Sequence, residues 1–256
     1  MKKIRIFSLI AFLVFFGACM VHVPDPDETE KLNEAKYLLH FNMGQSRMTS
    51  QKYTYAMEDF LEAEKYKKTP ELYYAMGETC YMLERFDLAL DYFDKSLYLS
   101  KDFSSSYIGR GIVYMTMERY DEAITEMEKA LDNIIFHEPE IAYYHIGNAY
   151  LAKGDYDQAI KNLKSAIKVS PDFAMAYFRL CNIYIELELL DEASEIIELF
   201  LSYYPKSPEG HLMMGRIYKK LNKGKMAEME FLEVIKLAPD TDLADEAKRN
   251  LTGALD

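Results

Sequence analysis

Histidine, cysteine and carboxylate positions are where catalysis or metal binding would first show. The five histidines (His22, His40, His137, His145 and His211) are scattered, with no H-x3-H or HExxH spacing, which two ligands on one helical face require. The sequence has no CxxC pair, no glycine-rich phosphate loop and no G-x-S-x-G elbow, the usual marks of metal, nucleotide or acyl chemistry. Glu118, Asp121 and Glu122 cluster, but on what reads as an exposed helix face. We therefore expect no enzyme, no metal and no cofactor. What remains is recognition chemistry. Asn148 and Asn182 each carry an amide able both to donate to and accept from an extended backbone. Large apolar residues recur near them at a fixed interval: Phe41, Tyr74, Ile108, Tyr144, Phe178 and Leu212.

Composition agrees with a binding protein built of helices. The 256 residues are 50% hydrophobic and 28% charged, with 11 Gly and 8 Pro, so helix breakers are scarce and helix formers abundant. There is no Trp, but 21 Tyr and 14 Phe supply large side chains for burial. The formal charge is −12. Nucleic acid is excluded as a partner, because its phosphates demand clustered Lys and Arg. Attraction to anionic head groups is excluded on the same ground.

The N-terminus reads as an export leader. Lys2, Lys3 and Arg5 form a basic region, Ile6 to Phe16 an apolar run too short to span a bilayer, and Gly17-Ala18 a small-residue cleavage site. The stretch Phe16-Gly17-Ala18-Cys19 resembles the bacterial lipobox, with Phe16 where Leu is usual. That resemblance implies removal of 1–18, lipidation of Cys19, and an acyl anchor in the membrane. With the leader gone, 27 basic face 42 acidic residues, a balance of −15. Met20, which is not Asp, implies by the same resemblance sorting to the outer membrane, on its periplasmic side. Residues 19–30, with Pro24 and Pro26, read as a lipidated, extended tether.

Self-similarity organises the rest. Gly44, Gly77, Gly111, Gly147, Cys181 and Gly215 follow one another at spacings of 33, 34, 36, 34 and 34 residues. A second ladder runs in step with them: Ala56, Ala89, Ala123, Ala159, Ala193 and Ala227. Four residues beyond each Ala stands a large apolar residue: Phe60, Phe93, Met127, Leu163, Ile197 and Phe231. A small residue on one helix admits a close-packed second helix, whose Ala sits at the crossing. Pro171, Pro205 and Pro239 close three units, and Pro70 and Pro139 read as closing two others slightly late.

These residues resemble the tetratricopeptide signature W-x2-L-G-x2-Y, A-x3-F, with Tyr73, Tyr107, Tyr143, Tyr177, His40 and His211 at its Trp position. The expected fold is all-α: a right-handed superhelical solenoid of about six tetratricopeptide repeats (about 37–69, 70–103, 104–139, 140–173, 174–207 and 208–241, within 31–241) and a C-terminal capping helix in 242–256. Cys80 and Cys181 would then lie three repeats apart, far beyond the roughly 7 Å that a disulfide bridges, and are expected as buried free thiols.

The resemblance also implies a concave peptide-binding groove lined by first helices. Its expected residues are Phe41, Tyr74, Tyr81, Ile108, Ile112, Met115, Tyr144, Asn148, Phe178, Asn182, Leu212 and Arg216, with Gln45, Glu78, Met48, Met82 and Ile185 on the same wall. Carboxylate-capturing relatives place Lys at the first groove position; here all six are apolar, so an extended or helical segment with apolar anchors is the expected ligand. Packing between repeats would account for the same row of side chains, and both readings stand. Leader, anchor and repeats together resemble the type IV pilus pilotin family (PilF, PilW, Tgl), which implies binding to a secretin subunit and assistance to its outer-membrane localisation and multimerisation. The alternative is a scaffold for outer-membrane protein assembly or recruitment of cell-wall hydrolases.

Overall fold

The computed structural model describes residues 26–252. These residues form thirteen helices and no strand: α1 (Pro26–Thr49), α2 (Tyr53–Glu64), α3 (Pro70–Met82), α4 (Phe86–Leu99), α5 (Ser104–Thr116), α6 (Tyr120–Leu131), α7 (Pro139–Ala152), α8 (Tyr156–Val169), α9 (Ala174–Glu186), α10 (Leu190–Tyr203), α11 (Pro208–Lys220), α12 (Gly224–Leu237) and α13 (Asp242–Thr252). Odd and even helices pair in sequence, each pair packs on the next, and α13 closes the stack against α11 and α12. This is the expected solenoid of six pairs with a cap.

The two ladders meet as their spacing requires. A side chain at Gly77 would put its Cβ 2.6 Å from Phe93 Cε1, and one at Gly215 would lie 2.6 Å from Phe231 Cε1. Gly111 presses against Met127 and Gly147 against Leu163 in the same way. The large partners Phe60, Phe93, Met127, Leu163, Ile197 and Phe231 are all buried, as are all six Ala of the second ladder. Each such large side chain contributes about 1.5–3 kcal/mol by leaving water.

Helix boundaries follow from local chemistry. Pro171, Pro205 and Pro239 each lie two residues past the end of α8, α10 and α12. Pro70 and Pro139 do something else: with Pro208 they open α3, α7 and α11 at the first turn, where the missing N–H would have no partner anyway. Thr69 and Ser207 cap two of these starts, accepting from the N–H groups of Leu72 and Gly210. Every turn within a pair uses one left-handed residue: Gln51, Glu84, Glu118, Gly154, Glu188 or Asn222. The next N–H then reaches back into the helix, as Arg85 N does to Cys80 O at 2.8 Å, satisfying a carbonyl the helix end would leave open.

Two boundaries differ from the sequence reading. Residues 26–30, expected within the extended tether, belong to α1, where Pro26 suits the first turn and Asp27 and Glu28 complement the helix dipole. The first repeat therefore begins earlier than residue 37. The cap helix is described as far as Thr252; residues 253–256, like the leader and Cys19, lie outside the described residues. The lengthened third turn is braced by Asn133, whose Nδ2 donates to Asp102 O at 2.8 Å and Ser104 Oγ at 3.0 Å while Oδ1 accepts from Ile135 N at 3.1 Å.

Buried polar groups tie neighbouring repeats together. The buried Glu126 carboxylate meets Lys129 at 2.8 Å and Arg110 at 3.4 Å, and Arg110 also reaches Asp94 at 2.7 Å, linking α4, α5 and α6. Ser96 Oγ donates to Pro70 O at 2.9 Å and accepts from Ser106 Oγ at 2.8 Å.

Candidate functional site

The odd-numbered helices touch one another along the stack, α1 to α3, α3 to α5 and α5 to α7, so they share one wall. That wall carries the candidate residues, and the structure divides them into three groups.

The first group is packing. Ile108 and Leu212, expected on the groove, are buried, Ile108 among Ile124, Met127 and Ile146 and Leu212 in the core of the C-terminal repeats. Their β- or γ-branched chains are short enough to be covered entirely by the neighbouring helices. The aromatic members of the same row are half-buried. Phe41 lies 5.9 Å from Phe60, Tyr144 meets Phe173 edge-on at 5.5 Å, and Phe178 sits 4.7 Å from Phe200, centroid to centroid. One edge of each ring is therefore spent on a neighbouring ring and the rest is left to the wall.

The second group is tied elsewhere. Arg216, expected on the groove, pairs with Glu246 of α13, Nε to Oε1 at 2.9 Å. It fastens the cap to α11.

The third group is open. Asn182 is exposed on α9, and Asn148 one repeat earlier is partly buried with its Oδ1 unpartnered. Such an acceptor wants a donor, and a ligand backbone N–H is one. Met115 and Ile112 flank each other, half-buried, on α5. At the N-terminal half of the wall, Met48, Tyr74, Glu78, Tyr81, Met82, Phe93, Gly109 and Ile112 line a cavity of about 200 Å³. Tyr81 is steadied by Phe86 at 6.0 Å and by a 3.1 Å hydrogen bond between its hydroxyl and Thr116 Oγ1. Tyr74 is held between Phe93 and Phe103, both at 5.8 Å. Its hydroxyl donates to Glu78 Oε1 at 2.7 Å. Burial pushes the Tyr74 hydroxyl well above its ordinary value, reinforced by the adjacent Glu78 charge. Burial also raises the Glu78 carboxyl, against the hydrogen bond from Tyr74.

The remaining chemistry-bearing residues have structural surroundings. Cys80 and Cys181 are buried free thiols, and burial raises them to about 11 and about 12, away from the thiolate form that reacts. His211 stands where packing was expected, with Nδ1 2.6 Å from Glu230 and Nε2 3.1 Å from Pro205 O. His40 stacks on Tyr66 at 6.0 Å. No three metal-ligating side chains come together among the described residues, and no described helix is long and apolar enough to cross a membrane.

Comparison with known proteins agrees with the architecture. Models described as tetratricopeptide repeat match residues 70–103, 102–172, 150–217 and 208–241, a continuous run over the larger part of the chain. The chain is a tetratricopeptide repeat protein. The tetratricopeptide fold extends to solved structures: PilF of Pseudomonas aeruginosa at TM-score 0.67 and 14% identity, covering 85% of this chain and 98% of that one, and PilW, a type IV pilus biogenesis factor, at TM-score 0.67 and 19% identity, covering 86% and 98%. YrrB, a tetratricopeptide protein with an unusual peptide-binding site, aligns at TM-score 0.53 and 25% identity over 74% of this chain and 97% of that one. Among curated relatives, the BBSome complex member BBS4 of Bos taurus is 24% identical over 141 residues, 55% of this chain and 26% of that protein. This tetratricopeptide chain thus spans about a quarter of that relative's length.

Glu78 was expected on the wall, but its hydrogen bond with Tyr74 was not. The signal that could have found it is its place four residues after Tyr74, on the one repeat where the inner position is acidic.

Proposed function

We propose that this protein is a lipid-anchored scaffold whose concave wall holds a segment of a partner protein, and that it serves as a type IV pilus pilotin. In this reading Cys19 carries the acyl anchor in the outer membrane. The stack faces the periplasm, and the wall holds a secretin subunit during its delivery and multimerisation. The observation that carries the reading is the extent of the likeness to PilF and PilW: the structural match covers 98% of each of those chains. YrrB adds a precedent for peptide binding on this architecture.

The wall suits the task chemically. Half-buried rings at Phe41, Tyr144 and Phe178 offer apolar anchorage, and Asn148 and Asn182 offer amides to a bound backbone. Scaffolding requires no reactive group, and the raised thiols of Cys80 and Cys181 supply none. The test is deletion of the gene followed by gel analysis of secretin multimers. Loss of multimers, restored by the intact gene and not by a Cys19→Ala version, is the expected result. Unchanged multimers would contradict the pilotin role.

A further inference from the structure

The cavity between α1, α3, α4 and α5 combines two features that a simple apolar groove does not need together. Its walls are the half-buried or exposed side chains of Met48, Tyr81, Met82 and Ile112. Among its described lining residues, the one charged side chain is Glu78. Tyr74 orients that carboxylate by donating to Oε1, and none of the cavity's described lining residues is Lys, Arg or His. A lone carboxylate in apolar surroundings is costly to keep charged, and burial does raise its pKa. The whole chain, at −12, also favours the approach of positive charge.

We infer that this cavity is a specificity pocket for one basic side chain, Lys or Arg, of the bound segment, with the Glu78 carboxylate as its counter-charge. The inference rests on the concave wall being the binding surface. The two methionines and Ile112 cover the apolar stem of such a side chain, as long cationic residues require. Tyr81 supplies a ring face beside the head group. The Tyr74 hydrogen bond occupies one carboxylate oxygen and leaves the other for the incoming N–H. An apolar or acidic anchor at the same position would leave the carboxylate unpaired or face it with like charge, so the pocket discriminates by cost as well as by attraction.

The probe is a random twelve-residue phage-displayed peptide library selected in parallel on the full chain, on Glu78→Gln, and on a groove control, Phe178→Ala with Asn182→Ala. Glu78→Gln keeps the side-chain shape and an acceptor for Tyr74. Ile112→Lys, which leaves α3 untouched and brings a cation from within, is the second variant. The inference expects wild-type peptides to share a Lys or Arg, a preference absent from peptides selected on Glu78→Gln. It also expects a selected peptide to bind both Glu78→Gln and Ile112→Lys about thirtyfold or more weakly, in line with truncation of one member of a buried charge pair. The Met48 and Met82 methyl resonances should shift on binding. Peptides that lose binding to the groove control but carry no shared basic residue would overturn the pocket alone. No enrichment on the wild type, or enrichment unaffected by the groove control, would overturn the groove reading and the pocket with it.

Discussion

Phe93 of α4 is clamped against Gly77 of α3, so closely that a methyl group at position 77 would lie 2.6 Å from the ring edge. Gly109 of α5 closes on the same ring from the following repeat, with a Cβ there 2.5 Å from Cζ. One buried ring thus sets the spacing of three helices in two repeats. Helix propensity alone would make Gly77→Ala stabilising by about 1 kcal/mol. Overpacking a ring that has nowhere to move costs about 1–3 kcal/mol. We expect the second effect to win, with Gly77→Ala lowering stability by about 1–2 kcal/mol in urea unfolding. A stabilised variant would mean the helices separate freely.

His145 on α7 gives the fold a pH dependence of definite sign. Burial holds its pKa below the ordinary value of 6.5, so the folded state favours the neutral ring. As pH falls below about 6.5 the unfolded chain takes the proton first, and the stability this group contributes above that pH is lost. His145→Gln should therefore lose less stability than the wild type between about pH 7 and pH 5, compared by thermal unfolding at each pH. Parallel curves would contradict this.

The Arg216–Glu246 pair fastens the cap, but 42% of the Arg216 side chain is exposed, so its contribution to global stability is under about 1 kcal/mol. Its effect should be local. Arg216→Ala is expected to speed amide exchange in α13 while leaving α7 and α8 protected. Unaltered exchange in α13 would show that Ala244 and Ala247, both fully buried, hold the cap alone.

Cys80 and Cys181 should resist maleimide labelling in the native protein and label fully in denaturant, read site by site by mass spectrometry. Both are buried and pushed towards the neutral thiol, to about 11 and about 12. Rapid native labelling of either would mean the repeats open readily.

Much of this architecture was legible in the sequence because a repeat states the same packing rule six times. The ladder from Gly44 to Gly215 and the ladder from Ala56 to Ala227 report the helix crossings themselves. What periodicity does not report is where a helix begins or what a side chain meets beyond its own repeat. Pro70 and Pro139 read as stops and are starts, since Pro serves both places. Pro26 opens a helix that its neighbours in sequence disguised as tether. The resemblance put the expected groove on the first helices, but a repeat pattern cannot report that Ile108 and Leu212 are buried or that Arg216 pairs with Glu246, contacts that depend on the adjacent repeat and the cap. The surroundings of Glu78 depend on Met48 of α1 and Ile112 of α5, which belong to the repeats on either side.

The concave wall as the binding surface is tested most directly by a photo-crosslinking residue placed at Asn182 on the wall, and at Lys161 on exposed α8, in the native envelope. Crosslinks to a secretin subunit from position 182 and none from position 161 are the expected result. Crosslinks from 161 with none from 182 would place recognition on the opposite side of the stack and contradict the groove.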